Sequence, residues 1–250
     1  VASAAATLVA RGASSRIAGI ISHADLTGDH LDDVLDAHDT ASRALFRGIR
    51  HAASHDPHPE ALTIPGRAVA GLMSRDDFRQ GVALLGARGL TYDTWLYHHQ
   101  IPEYRALAEA VPGTTMILDH FGTPLGVGPY AGKRDEIFAK WKDDIAAVAE
   151  QPNVYAKLGG LAMPDNGYGW HEANTPPDSD TFVAVQQPWY DHMIHCFGPQ
   201  RCMFESNFPV DRLSIGYRVL WNGLKKIASK YSEADQDLMF SGVARRIYKL

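Results

Sequence analysis

The chain has 250 residues, of which 45% are hydrophobic, enough apolar material for the core of one sizeable domain. Acidic residues outnumber basic ones by 29 to 24 and the formal net charge is -5, so the composition argues against nucleic-acid binding. No apolar stretch approaches the roughly 20 residues of a membrane span, which argues against a membrane protein.

The opening segment, residues 1–16, is rich in alanine and predicts a helix that leads into an apolar run at Ile17. It lacks the basic start and the uninterrupted apolar stretch of a signal peptide. The two cysteines, Cys196 and Cys202, stand in no pairing motif and predict buried thiols. Together these features predict a cytoplasmic protein.

Six apolar stretches of strand length each run into polar or charged residues. They cover residues 17–26, 45–51, 90–100, 114–124, 153–161 and 202–210. An apolar strand that ends in His, Arg, Lys or Asn is typical of a parallel strand whose carboxyl end opens onto a ligand site. The pattern favours an enzyme built on an α/β barrel.

Stretches with helical period follow most of these runs. They cover residues 76–88, 102–110, 134–150, 181–196 and 212–230, and a last helix at 232–248 begins with Ser232 as its N-cap. Acidic residues in its first turn, Glu233 and Asp235, favour this start. The alternation predicts βα units on one parallel sheet, in a single domain that spans residues 1–250.

Two long connections, 51–66 and 162–180, leave the predicted carboxyl ends of strands and carry Pro and Gly beside His or aromatic residues. Active-site lids occupy such places, so we expect both to cover a small-molecule site. A solvated surface excursion is the alternative for each.

The two-residue period of a strand predicts which side chains share the inner face of a barrel. The sets are His23 with Asp25; Trp95, Tyr97 and His99; Met116, Leu118 and His120; and Met203, Glu205 and Asn207. Each set is counted back from the polar end of its run.

Several motifs, in order, resemble the amidohydrolase-2 family, and more narrowly its pyrone-dicarboxylate, sulfomuconolactone and sugar-acid lactonases. They are RGIR at 47–50, LDHFGTP around His120, NVYAKLGGL at 153–161, RCMFESNFPVD at 201–211 and ARRIY at 244–248. The resemblance covers residues 14–250 and implies a (β/α)8 TIM barrel of the metal-dependent hydrolase type. Family members carry a His-x-His pair on the first strand, and this sequence has none. Matching the six runs to strands three to eight predicts an N-terminally truncated barrel that lacks the first two βα units.

The resemblance also implies catalytic residues. His120 matches the histidine at the end of strand six, which polarises a carbonyl or ligates a metal. Asn207 stands where lactonases of the family carry Asp, and an amide cannot accept a proton. Glu205, on the same face, is the candidate base, and Asp211 is a second one. A charge paired with Arg or Lys inside the barrel is the alternative for Glu205.

For substrate binding, Arg50 matches the strand-four arginine and would grip a carboxylate with two hydrogen bonds. The other candidates are Tyr97, His99, Gln100, His23 and Lys157, with Trp95 as site wall or core. Lys157 would alternatively form a salt bridge, and Asp25 would alternatively cap the next helix.

The absence of a His-x-His pair and the presence of Asn207 in place of Asp favour a site without a metal. The alternative is one divalent ion, Zn or Mn, with His120 as a ligand. His51, His55 and His58 are predicted to be surface histidines.

The predicted function is a hydrolase that opens a small lactone or related cyclic ester with carboxyl or hydroxyl groups. A metal-dependent decarboxylase of the same superfamily and a non-catalytic ligand-binding barrel are the alternatives, and a homo-oligomer stays open.

Overall fold

The computed structural model describes residues 17–250, so the helix predicted before Ile17 lies outside the described residues. Six strands form one parallel sheet in chain order. They are β1 (Ile20–Ser22), β2 (Phe46–Arg50), β3 (Thr91–Thr94), β4 (Met116–Leu118), β5 (Val154–Leu158) and β6 (Cys202–Phe204). Each strand lies inside one of the six predicted apolar runs, so the predicted parallel sheet is confirmed.

Eight α-helices connect and flank the strands. They are α1 (Leu31–Ser42), α2 (Asp76–Ala87), α3 (Ile101–Ala110), α4 (Arg134–Ala149), α5 (Ser179–Phe197), α6 (Tyr217–Ala228), α7 (Glu233–Asp237) and α8 (Val243–Ile247) in the described part of the chain. Helix α1 was not predicted, because only Leu31 and Leu35 among its apolar residues are buried and the segment is otherwise polar. Its stability comes from packing against the rest of the domain.

Two predicted helices differ in detail. Helix α6 begins at Tyr217 rather than at 212, because a 3-10 turn, Val210–Leu213, comes first. The Oγ of Ser232 accepts the backbone N–H of Asp235 at 3.2 Å, which confirms the predicted N-cap. A π-turn, Leu238–Gly242, then separates α7 from α8 and interrupts the single helix that the sequence predicts.

The two faces of the sheet bury different clusters. The large core, which includes Met116 and Leu118, fills the space between the sheet and the flanking helices. A smaller cluster contains Ile117 and Met203 from the strands together with Val243 and Tyr248 from the C-terminal segment. Because neighbouring strand residues point to opposite faces, the C-terminal segment covers the face that the helices leave open, here called the inner face.

The inner face is concave. Arg50 at the end of β2 contacts Asp119 just after β4, and Asp93 on β3 contacts Lys157 on β5, each pair passing over one strand. Strands lie about 4.8 Å apart, so direct contacts across an intervening strand indicate that the sheet curls around this face.

The two long connections meet at the carboxyl edge of the sheet. The carboxylate of Asp165 accepts the backbone N–H of Thr63 at 2.6 Å and that of Ile64 at 3.0 Å. The segments predicted as lids are therefore held against each other rather than extending separately into solvent. Among residues 17–250, no helix is long and apolar enough to cross a membrane.

Candidate active site

His120 lies at the centre of the inner face, directly after β4. Its backbone has a positive φ of 54°, and its side chain is 5% exposed. The Nδ1 atom lies 2.6 Å from Oε1 of Glu205, which follows β6. Gly160, with φ of +84°, lies against the ring, and a Cβ at that position would be 2.7 Å from it. The histidine is thus held by a carboxylate on one side and a glycine backbone on another.

Arg50 holds the other side of the ring. Its Nη2 lies 3.0 Å from Nε2 of His120, and its Nε lies 2.7 Å from Oδ2 of Asp119. A guanidinium only donates hydrogen bonds, so Nε2 must accept here and the ring proton must sit on Nδ1, facing Glu205. In this arrangement the imidazole is neutral.

The charges around His120 favour a second proton on the ring. Burial lowers the pKa of His120, but the charge of Glu205, its hydrogen bond and Asp119 outweigh this, and the net pKa is raised. Burial raises the pKa of Glu205, but His120, Lys157 and Arg50 outweigh it, and the net pKa is lowered. The site therefore holds an ionised carboxylate beside an imidazole of raised basicity. A proton that arrives at Nε2 displaces Arg50, because a protonated Nε2 cannot accept its hydrogen bond.

A chain of buried contacts continues from Arg50 across the inner face. Lys157 Nζ lies 3.0 Å from Asp119 and 2.7 Å from Asp93, whose Oδ2 accepts the hydroxyl of Tyr248 at 2.6 Å. Burial lowers the pKa of Lys157, but Asp119 and Asp93 outweigh this, and the pKa is well above its ordinary value. Lys157 thus forms the salt bridges that were the alternative to anion binding.

The predicted register of β4 was wrong. Met116 and Leu118 face the helices, whereas Ile117 and Asp119 occupy the inner face. All three strand residues are apolar, so the two-residue period gave no signal to choose between the faces. His120 still reaches the site because its left-handed backbone turns the side chain back over the sheet.

Asn207 is held by another carboxylate. Its Nδ2 donates to Oδ1 of Asp211 at 2.8 Å, and its φ is 50°. Asp211 is fully buried, and its Oδ2 has no hydrogen-bond partner in the part of the chain that the structure describes. Burial raises the pKa of Asp211 to about 7. The pair therefore holds a second buried ionisable group whose pKa is raised above its ordinary value.

The residues that follow β3 have mainly structural contacts. Gln100 Oε1 accepts the backbone N–H of His55 at 3.0 Å, and the hydroxyl of Tyr97 accepts that of Gly66 at 2.7 Å. The Nε2 of His99 lies 3.1 Å from the carbonyl oxygen of His55. Tyr97, His99 and Gln100 thus anchor the connection that follows β2.

A cavity of about 520 Å³ opens beside Arg50. Its lining residues include His23, His51, Arg67 and Trp95. His23 contacts the carbonyl oxygen of Arg50 at 3.1 Å, so this predicted binding residue does lie at the site. Arg67 was missed, because a charged loop residue carries no periodic signal.

The structure differs from the predictions for His51 and Asp25. His51 is partly buried against Phe78, with ring centroids 5.2 Å apart, and is not a surface residue. Asp25 accepts the backbone N–H of Thr27 at 3.0 Å, so it stabilises a turn, and helix α1 begins after His30 without a side-chain cap.

The residues that the structure describes form no complete site for a divalent metal. Among residues 17–250, no three His, Cys, Asp or Glu side chains are grouped as metal ligands. Both ring nitrogens of His120 are engaged, and the cationic guanidinium of Arg50 lies against Nε2, where a metal ion would bind. Asn207 adds only a neutral amide, a poor ligand for zinc.

Comparison with known proteins identifies the family. A model of the amidohydrolase family matches residues 1–250. The uncharacterised protein y4mH of Sinorhizobium fredii is 32% identical over 240 residues, which are 93% of this chain and 70% of that protein. An L-fucono-1,5-lactonase of Burkholderia multivorans is 27% identical over 238 residues, 94% of this chain and 73% of the lactonase.

A crystal structure of a Burkholderia multivorans amidohydrolase with bound zinc is similar, with a TM-score of 0.79 and 25% identity. The match covers 99% of this chain and 78% of the other. The chain belongs to the amidohydrolase family and has its α/β fold, with a curled parallel sheet.

Proposed function

We propose that this member of the amidohydrolase family hydrolyses small lactones or related cyclic esters, with His120 as the general base. The observation that carries the proposal is the buried 2.6 Å contact between His120 and Glu205, with Arg50 on the opposite nitrogen. The similarity to an L-fucono-1,5-lactonase supports the choice of substrate class.

Glu205 orients and stabilises the base. Its carboxylate accepts the Nδ1 proton of His120, which fixes the tautomer and leaves the basic lone pair on Nε2, where it takes a proton from water as Arg50 turns away. The resulting hydroxide attacks the lactone carbonyl carbon, the bond from that carbon to the ring oxygen breaks, and the ring oxygen receives the proton. The product is an open-chain hydroxy acid. In this scheme Glu205 is a positioning residue rather than the base predicted from sequence.

Arg50 supplies positive charge where the oxyanion forms. While His120 is neutral, one N–H of Arg50 points at Nε2. Once Nε2 takes the water proton, this contact is lost and the guanidinium is free to bind the developing oxyanion. Asp119 keeps hold of the Nε of Arg50, so the guanidinium turns without leaving the site.

The proposal also includes the barrel architecture of the fold. The curled sheet supports a (β/α)8 barrel in which His120 and Glu205 follow the sixth and eighth strands. It also includes hydrolysis without a metal, supported by the donor set around His120. Dialysis against a chelator should leave kcat/KM unchanged; a loss restored by Zn or Mn would show that the site is metal-dependent.

The test is hydrolysis by the full-length protein of a panel of sugar and carboxylated lactones, followed by acid release. His120→Ala should lower kcat by about 10²–10⁴-fold, the range for loss of a general base. His30→Ala is the matched control, since its side chain is 86% exposed. Full activity in His120→Ala would contradict the proposal. Carbon dioxide as the product would favour the decarboxylase, and saturable binding without turnover would favour a binding protein.

A further inference from the structure

The cavity beside Arg50 has an unusual balance of charge. Two arginines and two histidines line it, and none of the lining residues that the structure describes is acidic. The chain as a whole carries a formal charge of -5, so this local excess of basic residues is opposite in sign to the net charge. Such a cavity concentrates anions.

The two arginines differ in what they already bind. Arg50 uses Nε for Asp119 and Nη2 for His120. Arg67 makes no side-chain hydrogen bond or salt bridge within the described range 17–250, and its side chain is exposed. Its guanidinium is therefore available to a ligand.

The histidines add one donor and one acceptor to the cavity wall. His51 Nδ1 accepts the backbone N–H of Leu26 at 3.1 Å, so its proton is on Nε2. His23 donates from Nδ1 to the carbonyl oxygen of Arg50, so its Nε2 is an acceptor. With both guanidinium groups, donors outnumber acceptors around the cavity.

Trp95 gives the cavity a flat apolar wall. Its Nε1 donates to Oγ1 of Thr123 at 2.9 Å, and its ring packs on Tyr97 with centroids 5.6 Å apart. These contacts fix the indole in place, and a fixed indole suits the face of a small ring.

We propose that this cavity binds a lactone that carries a carboxylate, and that Arg67 is the residue that selects it. This inference rests on the proposed function, which places the carbonyl of the same ligand between His120 and Arg50. The ring lies against Trp95, and its carboxylate takes the paired N–H groups of Arg67. A neutral sugar lactone would leave Arg67 without a partner.

Binding can be tested without any hydrolysis. The probe is tetrahydro-2-furoate, a ring carboxylate with no lactone carbonyl, compared with the uncharged tetrahydrofurfuryl alcohol by titration calorimetry on the full-length protein. The carboxylate should bind more tightly than the alcohol. Arg67→Gln should weaken its binding by at least about tenfold, the loss expected for a hydrogen-bonded charge.

Two further variants serve as controls. Arg67→Lys keeps the charge but not the paired hydrogen bonds, so its binding should lie between that of wild type and that of Arg67→Gln. Arg218→Gln removes an exposed arginine on α6, outside the cavity, and should leave binding unchanged. Equal binding of the two probes, or carboxylate binding unaffected by Arg67→Gln, would overturn the inference.

Turnover tests the proposed function separately. If lactones are hydrolysed, Arg67→Gln should raise KM for carboxylated lactones and leave kcat, and the KM of neutral lactones, unchanged. If no lactone is hydrolysed while tetrahydro-2-furoate binds through Arg67, the proposed function fails and the anion site stands.

Discussion

The carboxyl ends of β4 and β6 and those of β1 to β3 are built differently. At the first, His120 and Glu205 contact each other at 2.6 Å, and Arg50 reaches over from the end of β2 to lie 3.0 Å from the other ring nitrogen of His120. At the second, the cavity is lined by Arg67 and by His51, neither of which has an acidic partner closer than 4.0 Å. The difference separates two arrangements: at the first, ionisable groups are paired with one another, whereas at the second the guanidinium of Arg67 has no partner among the described residues.

Lys157→Met should have the largest effect, because it removes the cation between two buried carboxylates. Asp93 would keep only hydroxyl partners such as Tyr248, and the two buried carboxylates would share Arg50 as their one nearby cation, at a cost of about 3–5 kcal/mol in the free energy of unfolding. Lys226→Met, which removes a salt bridge whose lysine side chain is 43% exposed, should cost less than about 1 kcal/mol. Urea unfolding compares the two variants, and equal losses would show that the inner-face pairs are not special.

Glu205→Gln tests whether the paired end sets the proton chemistry. It should lower kcat by about 100-fold while the fold is kept. The charge of Glu205 holds the pKa of His120 above its ordinary value, so its loss should lower that pKa. A neutral base is required, so the acidic limb of the pH–rate profile should move to lower pH. If the acidic limb of the pH–rate profile stays at the same pH, Glu205 does not act through His120.

Asp211→Asn tests the buried carboxyl beside Asn207. The pKa of Asp211 rises from 3.8 to about 7 on folding, so the folded state keeps its proton where the unfolded state has lost it. This difference stabilises the fold at low pH and is lost as the pH rises from about 4 to 7. The variant cannot ionise and should lose about 3 kcal/mol less stability than wild type over that range. Identical slopes in denaturation at several pH values would contradict this.

Tyr248→Phe should have the smallest effect. It removes one hydrogen bond to Asp93, worth about 1–2 kcal/mol because the acceptor is charged. Tyr217→Phe, at an exposed tyrosine, is the control and should change stability little. A fall in kcat without loss of stability would show that the contact chain through Lys157 reaches His120.

Features that depend on local sequence pattern, such as the strands, could be predicted from the sequence. Contacts between residues far apart in the chain could not. Every strand could be located because its apolar run ends in polar residues, and His120, Glu205 and Arg50 could be named as neighbours. The partners of Lys157 could not, since Asp93 and Asp119 lie 64 and 38 residues away in the chain and the register of β4 was ambiguous. Helix α1 and the position of Arg67 at the cavity were not predicted for a related reason. Both depend on the tertiary structure and not on a periodic sequence pattern.

Gly160 shows how a missing side chain can fix the position of a buried histidine. With φ of +84° and no room for a Cβ beside the His120 ring, position 160 admits only glycine unless the imidazole moves. A methyl group there would press the imidazole away from its seat, and the distances to Glu205 and Arg50 would change together. The geometry of His120 therefore depends on glycine at position 160. A related chain with the histidine but a larger residue at position 160 should not have the same geometry.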